Sequence, residues 1–207
     1  MKNALLVVLC CLPASAFAQA EELENPGTVS AVQDRKFRMG QELTLGIGVL
    51  PVDAFYKGLT ANVSYTSHFS DTFAWQIARG FYSYNLSTGL RQQLIQSFGA
   101  SPVDFDEVQF GAGSSVMWTP LYGKMAWLNG SVAHFQIFGL AGASVLRLSR
   151  AGFRPAINFG IGMRVFLNKN VSFRLDVTDD LVIAPDRILL NVMSIQLAVA
   201  INFGATE

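Results

Sequence analysis

The residues of this chain that could do chemistry are few, and its two histidines, His68 and His134, are the strongest candidates. A histidine can activate a serine hydroxyl as a nucleophile when the two side chains meet. Ser131 lies three positions from His134, which places it on the opposite face of a regular strand. Ser114 or Ser115, on a neighbouring strand, could instead meet His134 across a sheet. We favour the alternative that His134 is a buried histidine hydrogen-bonded to a carboxylate or a tyrosine, and that His68 lies at the surface.

A second group of candidates is charged and occupies the polar positions of otherwise apolar segments: Glu42, Arg164, Arg174 and Asp176. These side chains could line a path for protons or ions. They could equally form a salt-bridged plug, because charges withdrawn from water need partners. We favour the plug, and we group the four with His134 as the candidate polar network of the fold.

Metal, phosphate and cofactor chemistry find little support in the sequence. The glycine pairs at 46–48 and 160–162 lie inside strand-like segments, where glycine relieves crowding, and not in phosphate-binding loops. Asp179, Asp180 and Asp186 could attract a divalent cation, but a solvated acidic loop is the interpretation we favour. We therefore predict no catalytic residue, no metal site and no cofactor.

The first residues are typical of a secretory signal. Lys2 is followed by an apolar run over residues 4–12 and by the small-x-small motif Ala16-Phe17-Ala18. We predict cleavage after Ala18, with cleavage after Ala20 as the second choice. An uncleaved anchor is the alternative, but the apolar run is too short to span a bilayer comfortably.

The processed chain that this predicts is nearly neutral and free of thiols. Both cysteines, Cys10 and Cys11, lie in the signal, 1–18. Loss of Lys2 lowers the basic residues from 15 to 14, against 15 acidic ones, so the clustered basic excess of a nucleic-acid-binding protein is missing. We expect a polar N-terminal arm over 19–38 and one folded domain over 39–207.

The pattern of the folded domain has a period of two. From Met193 to Phe203 the odd positions are all apolar, and the even positions are polar or small, as in a strand with one apolar face. Similar alternation predicts eight strands: 41–50, 58–69, 72–84, 106–118, 125–146 with a bend near 129–130, 156–167, 171–178 and 193–203. Membrane helices at 125–146 and 188–206 are the alternative, but a period of two has no use in a helix.

The alternation by itself does not say whether the apolar face meets lipid or a soluble core. The polar face is rich in small residues, which suits the narrow interior of an eight-stranded barrel. Gln196, Ala198, Ile201 and Phe203 are similar to the C-terminal signal by which outer-membrane barrels are recognised for insertion. Aromatic residues also gather near the predicted strand ends, as in interfacial girdles: Phe55, Tyr56, Phe69, Phe73, Trp75, Tyr82, Tyr84, Trp118, Tyr122 and Trp127.

Several segments resemble a known family, the outer-membrane β-barrel domain family of the myxobacterial and deltaproteobacterial type. The resemblance is carried by 50–59, 64–71, 132–136, 139–143 and above all 120–129, which contains a Pro-Leu-Tyr-Gly-Lys motif that we interpret as a turn. It implies a small barrel in the outer membrane and no known activity.

The prediction as a whole is an all-β, eight-stranded antiparallel transmembrane barrel of meander topology, with both termini in the periplasm. We expect a structural, anchoring or protein-interaction role in the cell envelope, with a lipid A-modifying enzyme using His134, or a narrow pore, as alternatives. Expected partners are outer-membrane lipids and lipopolysaccharide, the barrel-assembly machinery, and envelope proteins that bind 19–38 or the long loop 85–105. No nucleic acid is expected.

Overall fold

The fold is a closed antiparallel barrel, as the alternation predicts. The computed structural model describes residues 35–51, 56–87, 106–127, 131–183 and 190–204. Each strand pairs with the next along the chain, and the last pairs with the first, so the sheet has no free edge. The strands are β1 Gln41–Leu50, β2 Tyr56–His68, β3 Phe73–Ser87, β4 Val108–Trp127, β5 Ser131–Leu148, β6 Gly152–Phe166, β7 Val171–Val182 and β8 Leu190–Phe203.

The barrel has two ends that differ in their connections. At the terminal end β1 begins, β8 ends, and the β2–β3, β4–β5 and β6–β7 connections are each three or four residues long. At the loop end lie the other connections, of which the stretch between β3 and β4 is the longest. The predicted signal, most of the predicted arm and the long loop beyond Ser87 lie outside the described residues.

The two faces of the wall are opposite in character. On β8, Gln196 is 5% exposed and its neighbour Leu197 is 61% exposed, and on β1 Ile47 is 65% exposed. Polar and small side chains therefore fill the inside, and large apolar side chains form the outer surface. This is the reverse of a soluble barrel. It suits a membrane, because the backbone groups pair within the closed sheet and the apolar outer side chains meet the acyl chains of the lipids.

The predicted boundary between the fourth and fifth strands is wrong. β4 continues through Pro120 to Trp127, so the Pro-Leu-Tyr-Gly-Lys segment is strand and not turn, and β5 begins only at Ser131. A register shift between Trp118 and Leu121 accommodates Pro120, which has no N–H to donate. The same shift turns Tyr122 toward the interior, where its ring lies 6.4 Å from Phe166, so Tyr122 is not part of an outer girdle.

A second register shift, in β3, exchanges the two faces of that strand. Two residues of β3, Ile77 and Ala78, lie between the pairs that Gln76 and Arg79 make with β4, and both are exposed. Inward positions are therefore even before the bulge and odd after it. Ser114, on the outer surface, donates a hydrogen bond of 3.1 Å to the carbonyl oxygen of Gln76 and stabilises the bulge.

Other strand ends also differ from the prediction. β6 starts four residues earlier, at Gly152, and β7 runs on to Val182, so Asp179 and Asp180 belong to a strand and not to a loop. The tight turn at 168–170 is confirmed, with Asn168 Oδ1 accepting from the N–H groups of Asn170 and Val171. The described parts of 125–146 and 188–206 are strands, which excludes the helical alternative there. Over the residues that can be described, no helix is apolar and long enough to traverse a bilayer.

Candidate functional site

The centre of the lumen near the terminal end is organised around the carboxylate of Glu42. Its Oε2 accepts from Arg164 Nη2 and its Oε1 accepts from Arg174 Nη1, each at 2.5 Å. Thr44 Oγ1 donates to Oε1 at 2.9 Å, and His68 Nε2 lies 3.0 Å from Oε2. Glu42 is completely buried, so these partners replace the water that the carboxylate has lost.

The two arginines extend this network over neighbouring strands. Arg174 Nη2 donates to Asp176 Oδ2 at 3.0 Å, and Arg164 Nη1 donates to Gln136 Oε1 at 3.2 Å. The ring of Phe138 lies under both guanidinium groups, with its centroid 4.7 Å from Arg174 and 5.5 Å from Arg164. Two arginines and two carboxylates therefore balance one another in the lumen, as in a plug of paired charges.

A second ion pair lies farther toward the loop end, and the sequence pattern does not reveal it. Arg79 Nη2 donates to both carboxylate oxygens of Asp180, at 3.0 and 2.7 Å. Ser144 Oγ donates to Asp180 Oδ1 at 2.7 Å, and Arg79 Nη1 donates to Thr178 Oγ1 at 3.2 Å. Because both residues lie in β7 and Asp180 is buried, the expectation that Asp179 and Asp180 form a solvated acidic loop is wrong. Asp186 lies outside the described residues.

Four of the five predicted network residues come together, and His134 does not join them. The register pairs His134 with Lys124 on β4 and Phe166 on β6, while Ser115 pairs with Gly142 much farther along β5. The alternative in which Ser114 or Ser115 meets His134 across the sheet is therefore excluded. The His134 ring packs against Phe37 at 5.3 Å in an edge-on arrangement.

His68 joins the network in place of His134. The prediction that it lies at the surface is wrong, because the last residue of β2 turns inward beside β1 and its side chain is only 7% exposed. Strand-end position alone cannot distinguish an inward from an outward side chain. The odd–even pattern of β2, with Ser64 and Thr66 buried, was the signal that could have placed it.

The segment 35–40 covers the terminal end of the lumen. Phe37 is buried and packs on Phe166, with ring centroids 5.3 Å apart. Arg35 Nη2 donates to the Thr119 carbonyl oxygen at 3.3 Å, and Arg35 Nη1 donates to that of Asp71. Met39 Sδ accepts from Arg164 Nη1 at 3.0 Å, which connects this cover to the charged network below it.

The loop end of the lumen is closed by a different kind of packing. Here the inward side chains form one apolar cluster: Leu50, Phe81, Val108, Leu146, Leu148, Ala156, Val182 and Val192. All eight are buried. This part of the interior therefore resembles the close-packed core of a soluble protein.

Between these closures several buried polar atoms have no protein partner, among them Gln76 Oε1, Asn158 Nδ2 and Asp176 Oδ1. Buried polar groups of this kind normally bind ordered water. Within the described ranges, no group of three or more His, Cys, Asp or Glu residues could hold a metal ion.

Comparisons with known proteins give matches among solved structures but no family. No family model matches the chain, and neither does any curated protein. Among solved structures, Neisserial surface protein A matches at 12% identity over 82% of this chain and 98% of that chain, with a TM-score of 0.39. The outer membrane protein Ail of Yersinia pestis matches at 13% identity over 80% of this chain and 100% of that chain, with a TM-score of 0.40.

Closure of the wall, the outward apolar surface and the packed polar lumen together define the class. The chain is a small eight-stranded transmembrane β-barrel of the outer-membrane type, and its place is the cell outer membrane. Its outer surface contacts membrane lipid.

Proposed function

We propose that this protein is a sealed barrel that anchors or presents an interaction surface in the outer membrane, with no catalytic role. The observation that carries the proposal is the lumen: it is filled by paired charges around Glu42 and Arg79 and closed by apolar packing at both ends. Because the lumen is filled, we propose the loops and the arm as the parts that contact other proteins. The family resemblance, carried mainly by 120–129, is our proposal for its affiliation.

The orientation that we propose puts the terminal end in the periplasm and the loop end outside the cell. Connections of three or four residues at one end and the long connection between β3 and β4 at the other support it, as in bacterial barrels of this class. We therefore propose a periplasmic location for the arm and an extracellular location for the long loop within 88–105. These two segments are the proposed contacts for envelope proteins. The barrel-assembly machinery would meet the chain during insertion.

The test compares three forms of the protein expressed in the native envelope: the full chain, a chain lacking 21–33, and a chain with 89–104 replaced by a short Gly-Ser turn. Chemical crosslinking, affinity capture and mass spectrometry identify what each form retains. We expect one deletion to remove specific partners while heat-modifiable migration on gels confirms that each barrel is folded. Identical partner sets for all three folded forms would contradict the proposal.

A pore is the first rival, and single-channel recording in planar bilayers separates it from a sealed barrel. We expect no discrete conductance steps from the purified protein, because Phe138, Arg164 and Arg174 fill the cross-section near Glu42. Regular steps that scale with protein concentration would favour the pore.

A lipid A-modifying enzyme is the second rival. His134 packs on an aromatic ring, and its cross-strand partners are Lys124 and Phe166, so no serine adjoins it in the register. We therefore expect lipid A from cells that express the protein to have the same mass as lipid A from cells that express His134→Ala. A mass difference between them would overturn the non-enzymatic assignment.

A further inference from the structure

A row of four outward side chains crosses the wall near the loop end. Tyr82 on β3 pairs with Phe110 on β4, Phe110 pairs with Arg147 on β5, and Arg147 pairs with Phe153 on β6. All four are exposed on the outer surface. Aromatic side chains at this position of a barrel mark the level of the lipid headgroups. The charge in the middle of the row is therefore at headgroup level.

The guanidinium of Arg147 is held between two of these rings. Its central carbon lies 5.1 Å from the ring centroid of Phe153 and 6.0 Å from that of Phe110. The two rings are themselves 5.8 Å apart at an angle of 74°. Cation–π contacts of this kind fix the plane of a guanidinium without neutralising it.

A bulge at the start of β4 completes the arrangement. The register shifts between Val108 and Phe110, and Gln109 is the extra residue, so Gln109 and Phe110 are both exposed. Arg147 Nε donates to Gln109 Oε1 at 3.2 Å. This hydrogen bond holds the guanidinium at its Nε and leaves its two Nη groups available to another acceptor. Bulges commonly re-aim side chains in this way.

Arg147 differs from the lumen arginines in its charge balance. Arg79, Arg164 and Arg174 each face a carboxylate at 3.0 Å or less. In the part of the chain that the structure describes, no carboxylate pairs with Arg147 and its Nη atoms have no hydrogen-bond acceptor. A guanidinium that is held in one orientation and has no carboxylate partner can bind a phosphate through two parallel hydrogen bonds.

We propose that Arg147, clamped by Phe110 and Phe153 and oriented by Gln109, binds the phosphate of an anionic lipid headgroup in the leaflet at the loop end. In the orientation proposed above that leaflet is the outer one, so the lipid is lipid A. The rings contact the first part of the acyl region while the fork reaches the phosphate. The site goes beyond the anchoring role, because a sealed barrel needs no particular lipid.

The experiment measures lipid retention by the full-length processed protein. Wild type, Arg147→Gln and Lys57→Gln are reconstituted in nanodiscs of phosphatidylcholine with bisphosphorylated lipid A, extracted into mild detergent and analysed by native mass spectrometry. Lys57 is the matched control, because it is an exposed cation at the loop end of β2 without flanking rings in the described contacts. Heat-modifiable migration confirms that each variant is folded.

We expect wild type and Lys57→Gln to retain lipid A and Arg147→Gln to retain about tenfold less, since charge-assisted hydrogen bonds of this strength correspond to about that ratio. Arg147→Lys, which keeps the charge and loses the fork, should fall between them. If Arg147→Gln and Lys57→Gln lost lipid A retention equally, general charge attraction would explain the binding and the proposal would be overturned. Unchanged retention in Arg147→Gln, or full displacement of lipid A by inorganic phosphate, would also overturn it. None of these results bears on conductance or on protein partners, so failure here leaves the anchoring role standing.

Discussion

Arg164 and Arg174 lie directly opposite each other on β6 and β7, and both guanidinium groups are buried in the lumen. Like charges at opposite positions of a sheet destabilise it. Glu42 on β1 offsets the repulsion by binding each arginine with a different carboxylate oxygen. Since β1 is not a sheet neighbour of β6 or β7, this three-residue contact exists only when the barrel is closed.

Replacement of Glu42 by Gln should therefore destabilise the folded barrel strongly. The substitution leaves Arg164 and Arg174 facing each other, with Asp176, which pairs with Arg174, as the remaining carboxylate of the network. Removal of one partner from a buried ion pair costs about 3–5 kcal/mol. Urea titration of the protein folded into phospholipid vesicles, followed by tryptophan fluorescence, measures the free energy of unfolding.

Asp71→Asn is the control for this measurement, because Asp71 is exposed in the β2–β3 turn. We expect its free energy of unfolding to stay within about 0.5 kcal/mol of wild type. If Glu42→Gln were as stable as Asp71→Asn, the charged network would not hold the lumen together.

The pair formed by Arg79 and Asp180 should show strong coupling in a double-mutant cycle. Arg79→Met and Asp180→Leu each leave one buried charge without its partner, at a cost of about 3 kcal/mol or more. The double variant removes both charges and replaces them with apolar groups of similar size, so we expect it to be more stable than either single variant. The same urea titration gives all four values, and additive losses would mean that the two side chains do not interact.

The lumen is packed so closely at Gly162 that it should not accept a methyl group. A Cβ atom there would lie 2.5 Å from Asp176 Oδ1, and Arg174 holds the same carboxylate in place through its other oxygen, Oδ2. Overpacking of this kind costs about 1–3 kcal/mol. Gly139, on the outer surface of the adjacent strand β5, is the matched control, because the nearest atom to its added Cβ would be 3.9 Å away.

We expect Gly162→Ala to be destabilised and Gly139→Ala to match wild type or to exceed it slightly, because alanine restricts the unfolded chain. Urea titration of wild type and both variants measures the differences in their free energies of unfolding. Equal stability of the two variants would show that the lumen near Gly162 can expand.

A charge introduced at Ile47 should oppose insertion into the membrane. Ile47 lies in the middle of the outward face of β1 and is among the most exposed apolar side chains of the barrel. Ile47→Arg should cost about 2–4 kcal/mol, whereas Phe69→Arg, in the β2–β3 turn, should cost about 1 kcal/mol or less because it lies near the interface. Folding yield and urea midpoint in vesicles report both. Equal effects at the two depths would contradict a lipid-facing outer surface.

Much of this fold could be predicted because a period of two directly reports two different environments. Gln41–Leu50 has the bounds that its alternation predicts, and the turn at 168–170 follows from its asparagines. The charged side chains on the small-residue face could be grouped in advance, because that face lines the lumen and they must pair there: Glu42, Arg164, Arg174 and Asp176. Errors arose where the alternation is interrupted, as at Pro120, since a bulge keeps the strand intact while it exchanges the faces.

The sequence by itself determined which side chains face lipid and which face the interior along each regular stretch, because burial there depends only on odd or even position. Only the tertiary structure decided which inward residues meet. Arg79 reaches Asp180 from β3 to β7, and His68 rather than His134 reaches Glu42, because the bulges and the register of eight paired strands set the position of each side chain around the ring. Contacts across a lumen depend on closure of the whole sheet, and no local pattern encodes that distance.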